Sequence, residues 1–257
     1  MDVENSFIKD RSMNIIISAD SPELGKRAAR LAADILNEAV KLNGEARMVV
    51  STGSSQFDTF QALISEDIPW QKIEVFHLDE YIGLPVSHPA SFRKYLYERF
   101  IDLVPVKRFY SVDVEGDITT RVGELAKSIR ERPVDLGLIG IGVNGHIAFN
   151  DPPADFDTRE AYIVVRLDDE CKMQQVNEGW FRTIEDVPRE AVSMSVWQIM
   201  QCRTIISCVP HSVKADAVYR TLAGRLSNLV PATMLKKHPD LNLFLDYNSV
   251  SKLIPFS

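Results

Sequence analysis

The sequence predicts an α/β fold with a mostly parallel central sheet and helices on its faces. Short apolar, β-branched runs alternate with longer segments of helical period, the signature of repeated β-to-α crossovers. Loops carrying glycine, serine and acidic residues follow several of the apolar runs. At 257 residues, with 45% hydrophobic and 25% charged residues, the chain can fill one sizeable core. We therefore expect one domain over residues 1–257.

Strands are expected at 14–18, 47–51, 73–78, 136–141, 161–165, 204–209 and 241–245, where short apolar runs stand between turn residues. The first helix opens on Ser21-Pro22-Glu23, read as N-cap, first-turn proline and first-turn acid. Leu24, Ala28, Leu31, Ile35 and Ala39 then repeat along one face. Further helices are expected at 57–65, 91–103, 121–132, 212–225 and 232–237. Segment 150–160, acidic and proline-bearing, reads as a lid or site loop rather than a domain boundary.

A net charge of −7 and the lack of any dense Lys/Arg run argue against nucleic acid or anionic lipid as partner. Residues 1–12 are polar, and no segment approaches the roughly 18 apolar residues of a membrane span. The expected setting is cytoplasmic, with no membrane contact. Cys171, Cys202 and Cys208 lack CxxC spacing and are expected as buried free thiols. No two of His77, His88, His146, His211 and His238 stand at i, i+4, so no metal site is expected.

Four loops carry candidate chemistry. In VSTGSSQ (50–56), Ser51, Thr52, Gly53, Ser54 and Ser55 offer hydroxyls and backbone N–H groups to a phosphate; the alternative is an ordinary strand-to-helix turn. In LDEYIGLPVSHPASF (78–92), the adjacent carboxylates Asp79 and Glu80 follow an apolar run. Such a pair is costly unless one meets ligand and the other is hydrogen-bonded, so one is a candidate base; a solvated loop is the alternative. In DLGLIGIGVNGHIAFNDP (135–152), glycines present His146 between Asn144 and Asp151. Histidine titrates near neutrality and can move a proton between a ring oxygen and an anomeric hydroxyl. In VPHSVK (209–214), Lys214 offers a cation at a helix start, with an exposed helix lysine as the alternative.

Together these loops resemble the glucosamine-6-phosphate deaminase family. The ordered motifs also include Val187-Pro188 and the LKKHP segment (235–239), and the resemblance runs over about residues 13–246. It implies a Rossmann-like three-layer sandwich without a nucleotide cofactor. It also implies a sugar-phosphate substrate, a homo-oligomer, and a hydrolase-type conversion of glucosamine 6-phosphate to fructose 6-phosphate and ammonia. Asp79 matches the carboxylate that takes the C2 proton, and His146 the ring-opening histidine. Asn144 and Asp151 match its orienting partners, with Asp151 in place of a longer glutamate. Ser51 to Ser55, Glu80, Gly145 and Lys214 fall on the substrate and phosphate positions. Where an arginine is usual in the family this chain has Glu178, with Arg166 and Arg182 as neighbouring substitutes, and Gln174 and Gln175 as candidate readers of sugar hydroxyls. A deaminase of another amino-sugar phosphate, or a non-catalytic sugar-phosphate sensor, are the competing readings.

Overall fold

The computed structural model describes residues 9–10 and 13–253. Seven parallel strands form the central sheet: β2 (Met13–Ser18), β3 (Ala46–Val50), β4 (Ile73–His77), β6 (Arg108–Tyr110), β7 (Leu136–Leu138), β10 (Thr204–Val209) and β11 (Leu241–Asp246). β1 (Lys9–Asp10) adds an antiparallel edge, giving the order β1-β2-β11-β10-β7-β3-β4-β6. A second, antiparallel sheet has the order β5-β9-β8, from β5 (Asp79–Tyr81), β8 (Tyr162–Arg166) and β9 (Glu190–Met194). The helices are α1 (Ser21–Asn43), α2 (Phe57–Leu63), α3 (Phe92–Arg99), α4 (Ile118–Arg130), α5 (Asp169–Asn177), α6 (Val196–Ile199) and α7 (Ala215–Ala223). Among the described residues no helix is long and apolar enough to cross a membrane.

The period of two along each central strand feeds two separate cores. Met48, Val50, Val75 and Ile206 point to one face, where they meet Leu24, Ala28 and Leu36 of α1, Phe60 and Leu63 of α2, and Leu96 of α3. Val49, Phe76, Ile205 and Leu245 point to the other, against Ile129 of α4, Val218 of α7, and Tyr162 and Met194 of the small sheet. The result is the three-layer sandwich, with the antiparallel sheet sharing one outer layer. Arg47 is buried at the strand-start end of the sheet. It pairs with Glu74 at 3.2 Å and donates to the carbonyls of Ser128, Ile129 and Arg132 at the end of α4, so that helix's orphan acceptors are met by a charged donor.

Several expectations are corrected. The first helix is capped by Asp20, whose side chain accepts from Glu23 N; Ser21 is already helical and donates instead to Asp58. The 161–165 run forms a strand, but at the edge of the antiparallel sheet, where Tyr162 is buried, Val164 and Arg166 are exposed, and β9 is its one neighbour. The 136–141 run is a strand only to Leu138, after which the glycines release the chain into a loop. Segment 232–237 is 3₁₀ rather than α-helical, within Pro231–Lys237. All three cysteines are buried free thiols.

From β3 the chain moves outward to β4 and β6, while from β7 it moves the opposite way to β10 and β11. β3 and β7 are neighbours, so the connections leaving their carboxyl ends diverge to opposite faces. That divergence opens a crevice, the usual ligand position in a doubly wound sheet.

Candidate active site

The crevice spans about 750 Å³ when the open space at its mouth is counted. The 51–55 loop after β3 walls one side, and Gly140, Ile141, Gly142 and His146 after β7 wall the other. Asp79, Phe92, Tyr95, Gln174, Gln175, Glu178, Trp180 and Lys214 complete it.

Asp79 begins β5, one residue beyond the end of the β4 strand run, paired in register with Ser193. Its side chain is 5% exposed, and Oδ1 has no hydrogen-bond partner. Burial, then the charges of Glu80 and Asp151, push its pKa well above the usual carboxylate range. An unpartnered carboxyl with raised basicity facing a cavity is the arrangement a proton-abstracting base requires.

Glu80, its neighbour, points away from the cavity. It accepts from Tyr81 N, Ser91 Oγ, Phe92 N, Arg93 N and Arg93 Nε, and so ties β5 to the start of α3. Burial raises its pKa and these donors oppose the rise, with a net upward shift. The expected substrate contact by Glu80 is therefore corrected: it holds the element that carries Phe92 and Tyr95 into the crevice. Glu80→Ala is expected to lower unfolding free energy by about 2 kcal/mol, the scale of lost hydrogen bonds to a charged group. Urea unfolding checks this; an unchanged midpoint would show the network to be dispensable.

His146 is placed by its own loop. Gly142 N donates to His146 O and His146 N donates to Asn144 Oδ1, closing a tight turn through Gly145 at φ +88°. The imidazole lies directly over Gly142: a Cβ there would stand 2.2 Å from ring atoms, so only glycine lets the ring reach the cavity. His146 Nδ1 is 3.0 Å from Asp151 Oδ1, though off the line of a well-formed hydrogen bond. Burial would raise the Asp151 pKa, but contact with His146 and donation from Asp168 N and Asn144 leave it lowered. Asp151 thus stays ionised beside the ring, able to fix its tautomer and to stabilise imidazolium.

Asn144 was expected to orient the imidazole directly. Instead its oxygen accepts from the His146 backbone and its amide faces Asp151 and Asp168, each at 3.4 Å, so it steadies the carboxylate that meets the ring. Gly145 does not line the cavity; it packs against Val230. No residue of segment 150–160 lines the crevice; the segment contributes Asp151 behind His146. The fold also brings Cys171 beside His146 and Asp151, with ligand-type atoms of all three within 4.8 Å of one another, a cluster invisible to i, i+4 spacing. Burial, and the Asp151 and Asp168 charges, push the Cys171 thiol pKa well up.

The other end of the crevice suits an anion. Ser51 Oγ is buried without a partner, and Gly53 takes φ +105° with its carbonyl held by the Tyr95 hydroxyl at 3.0 Å. Lys214 is 6% exposed; its backbone N–H donates to His211 O, while its ammonium makes no hydrogen bond or salt bridge among the described residues and is favoured only by the nearby charge of Glu178. Its backbone follows His211, whose φ of +78° is anchored by donation from His211 N to both Asp246 oxygens. Arg166 and Arg182, expected near this end, do not line it; Arg166 is 89% exposed beside Glu190. Gln174, Gln175 and Glu178, singled out in the sequence, do line the crevice; Tyr95 and Trp180 were not visible there, because packing rather than spacing brings them in.

The family model of glucosamine-6-phosphate isomerases and 6-phosphogluconolactonase matches residues 19–243. The chain belongs to this family. A glucosamine-6-phosphate deaminase of Lactobacillus delbrueckii subsp. bulgaricus is 32% identical, covering 94% of this chain and 100% of the relative. One of Thermoanaerobacter pseudethanolicus is 31% identical over 95% of this chain and 96% of the relative. A solved monomeric glucosamine-6-phosphate deaminase superposes with TM-score 0.84 at 29% identity, covering 92% of this chain and 98% of that one. The 6-phosphogluconolactonase of Trypanosoma brucei shares the fold with TM-score 0.78 at 17% identity, covering 97% of this chain and 100% of that one.

Proposed function

We propose that the protein is an isomerising glucosamine-6-phosphate deaminase, producing fructose 6-phosphate and ammonia. One observation carries the reading: a buried carboxyl with an unpartnered oxygen, Asp79, and a carboxylate-backed imidazole, His146, face a single cavity that also holds a buried cation, Lys214, whose ammonium makes no hydrogen bond among the described residues. The hydrolase designation expected from sequence is dropped, since the deaminase relatives carry the assignment and the lactonase neighbours carry only the fold.

Lys214 and the hydroxyls of the 51–55 loop hold the phosphate. His146 takes the anomeric proton and returns one to the ring oxygen, opening the sugar, while Asp151 stabilises the imidazolium between the two transfers. Asp79 removes the C2 proton, giving an enolamine, and a proton delivered to C1 converts it to the C2 iminium. Water adds at C2, and ammonia leaves as the C2 ketone forms. The proton chemistry needs no metal or nucleotide among the residues assigned here.

Incubation with glucosamine 6-phosphate should release ammonia and fructose 6-phosphate in equal amounts, with the reverse reaction driven by excess ammonium. Absence of both under saturating substrate would sink the assignment.

A further inference from the structure

Glu178 places a carboxylate in the same cavity as the anion-seeking Lys214. It is firmly held: Gln174 Nε2 donates to one oxygen at 2.8 Å and Trp180 Nε1 to the other at 3.2 Å. Gln174 in turn accepts from Val143 N at 3.2 Å, so the carboxylate is tied to the histidine loop as well as to its own helix end. Glu178 is near enough to Lys214 and Tyr95 for its charge to favour the ammonium form of one and oppose ionisation of the other, and the Tyr95 hydroxyl is bonded to Gly53 O. The fixed carboxylate therefore belongs to the anion end of the crevice, where one cation and one anion leave no net charge.

A carboxylate in that position repels a dianion. It has spare lone pairs, however, and welcomes an oxyanion that still carries a proton. We propose that Glu178 is a specificity determinant that accepts the P–OH hydrogen of a phosphate monoester bound as its monoanion, so the site takes protonated phosphate and rejects oxyanions that carry no proton. The inference rests on the sugar-phosphate reading above. The charged and titratable groups facing Glu178 are Lys214 from the turn before α7, Tyr95 from α3 and Tyr81 from β5, with Asp79 and His146 elsewhere in the cavity.

The test is direct calorimetric binding of glucose 6-phosphate and glucose 6-sulfate to the full chain between pH 5.5 and 8. A phosphate monoester loses its second proton near pH 6 and a sulfate monoester has none to lose. For the parent, phosphate affinity should fall roughly tenfold per pH unit above about 6, and the sulfate should bind at least about tenfold more weakly at pH 5.5. Glu178→Gln, whose amide can donate to an unprotonated oxygen, should flatten the pH slope and narrow the phosphate-to-sulfate ratio. Persistence of the slope in Asp79→Asn assigns it away from that carboxyl. A parent affinity that is flat or rising with pH, equal binding of the two esters, or a slope and ratio unchanged in Glu178→Gln would each overturn the role of Glu178. If those results came with ammonia release from glucosamine 6-phosphate, the deaminase reading would stand without it. No ester binding at any pH together with no ammonia release would overturn both.

Discussion

Asp79→Asn is expected to lower kcat by about 10² to 10⁴, the usual contribution of a positioned general base, while leaving KM within a few-fold. The amide matches the carboxyl in shape and cannot take the C2 proton, so exchange of that hydrogen with deuterated solvent, followed by NMR, should cease. Retained exchange would remove Asp79 from the base role. Stability should move the other way. The folded pKa of Asp79 lies above its ordinary value, so folding favours the protonated form. Stability is therefore lost as pH rises from the ordinary carboxylate range through the raised value. The asparagine variant is neutral throughout and should unfold at higher urea than the parent at neutral pH, with the gap closing in acid. The same raised basicity places the acid limb of the kcat/KM profile above that of an exposed aspartate.

This opposition between activity and stability follows from where the topology puts the site. The connections after β3 and β7 part to opposite faces, and the crevice between them is lined by loop backbone and by polar side chains that the parallel sheet cannot satisfy. Ser51 Oγ and Asp79 Oδ1 are left without partners in one cavity, where the Lys214 ammonium makes no hydrogen bond among the described residues, and each is a group a sugar phosphate would satisfy.

What was legible in the sequence is what short-range chemistry dictates. The parallel strands except β6 were visible as continuous apolar runs, and the helices because their faces repeat; β6 is three residues long and not buried, and it gave no such run. The 51–55 loop, Asp79 and His146 were visible because unusual residues follow apolar strands. The antiparallel sheet was largely hidden: β5 is three residues long and carries two acids, and β9 pairs with partners 24 or more positions away in sequence. The indirect role of Asn144 was hidden too, since it depends on the turn at Gly145 aiming its side chain at backbone while Asp151 alone meets the ring. Glu80 could have been read better: Ser91 is the N-cap of α3, and a carboxylate satisfying the donors there is a familiar way to finish a helix start. Glu178 needed α5 packed over the crevice before its neighbours could be known.

Lys214→Met should raise KM for the sugar phosphate by roughly 10- to 150-fold, corresponding to about 1.5–3 kcal/mol for a lost charge-assisted hydrogen bond. The effect on kcat should be smaller, because the phosphate is remote from C1 and C2 and is held in ground state and transition state alike. Removing the charge should at the same time stabilise the unliganded protein. Burial pulls the Lys214 pKa down despite the favourable charge of Glu178, so folding disfavours the protonated amine. Between the lowered folded value and the ordinary lysine value the unfolded chain holds more protons, and stability rises with pH across that window. Wherever the amine stays protonated, the buried ammonium is a standing cost that methionine, of similar length and apolar, does not carry. Bound phosphate should offset that cost in the parent, so addition of glucose 6-phosphate should raise the parent's Tm and leave that of Lys214→Met nearly unchanged. An unchanged KM, or a variant less stable than the unliganded parent at neutral pH, would place Lys214 outside the anion site and make its burial a matter of packing alone.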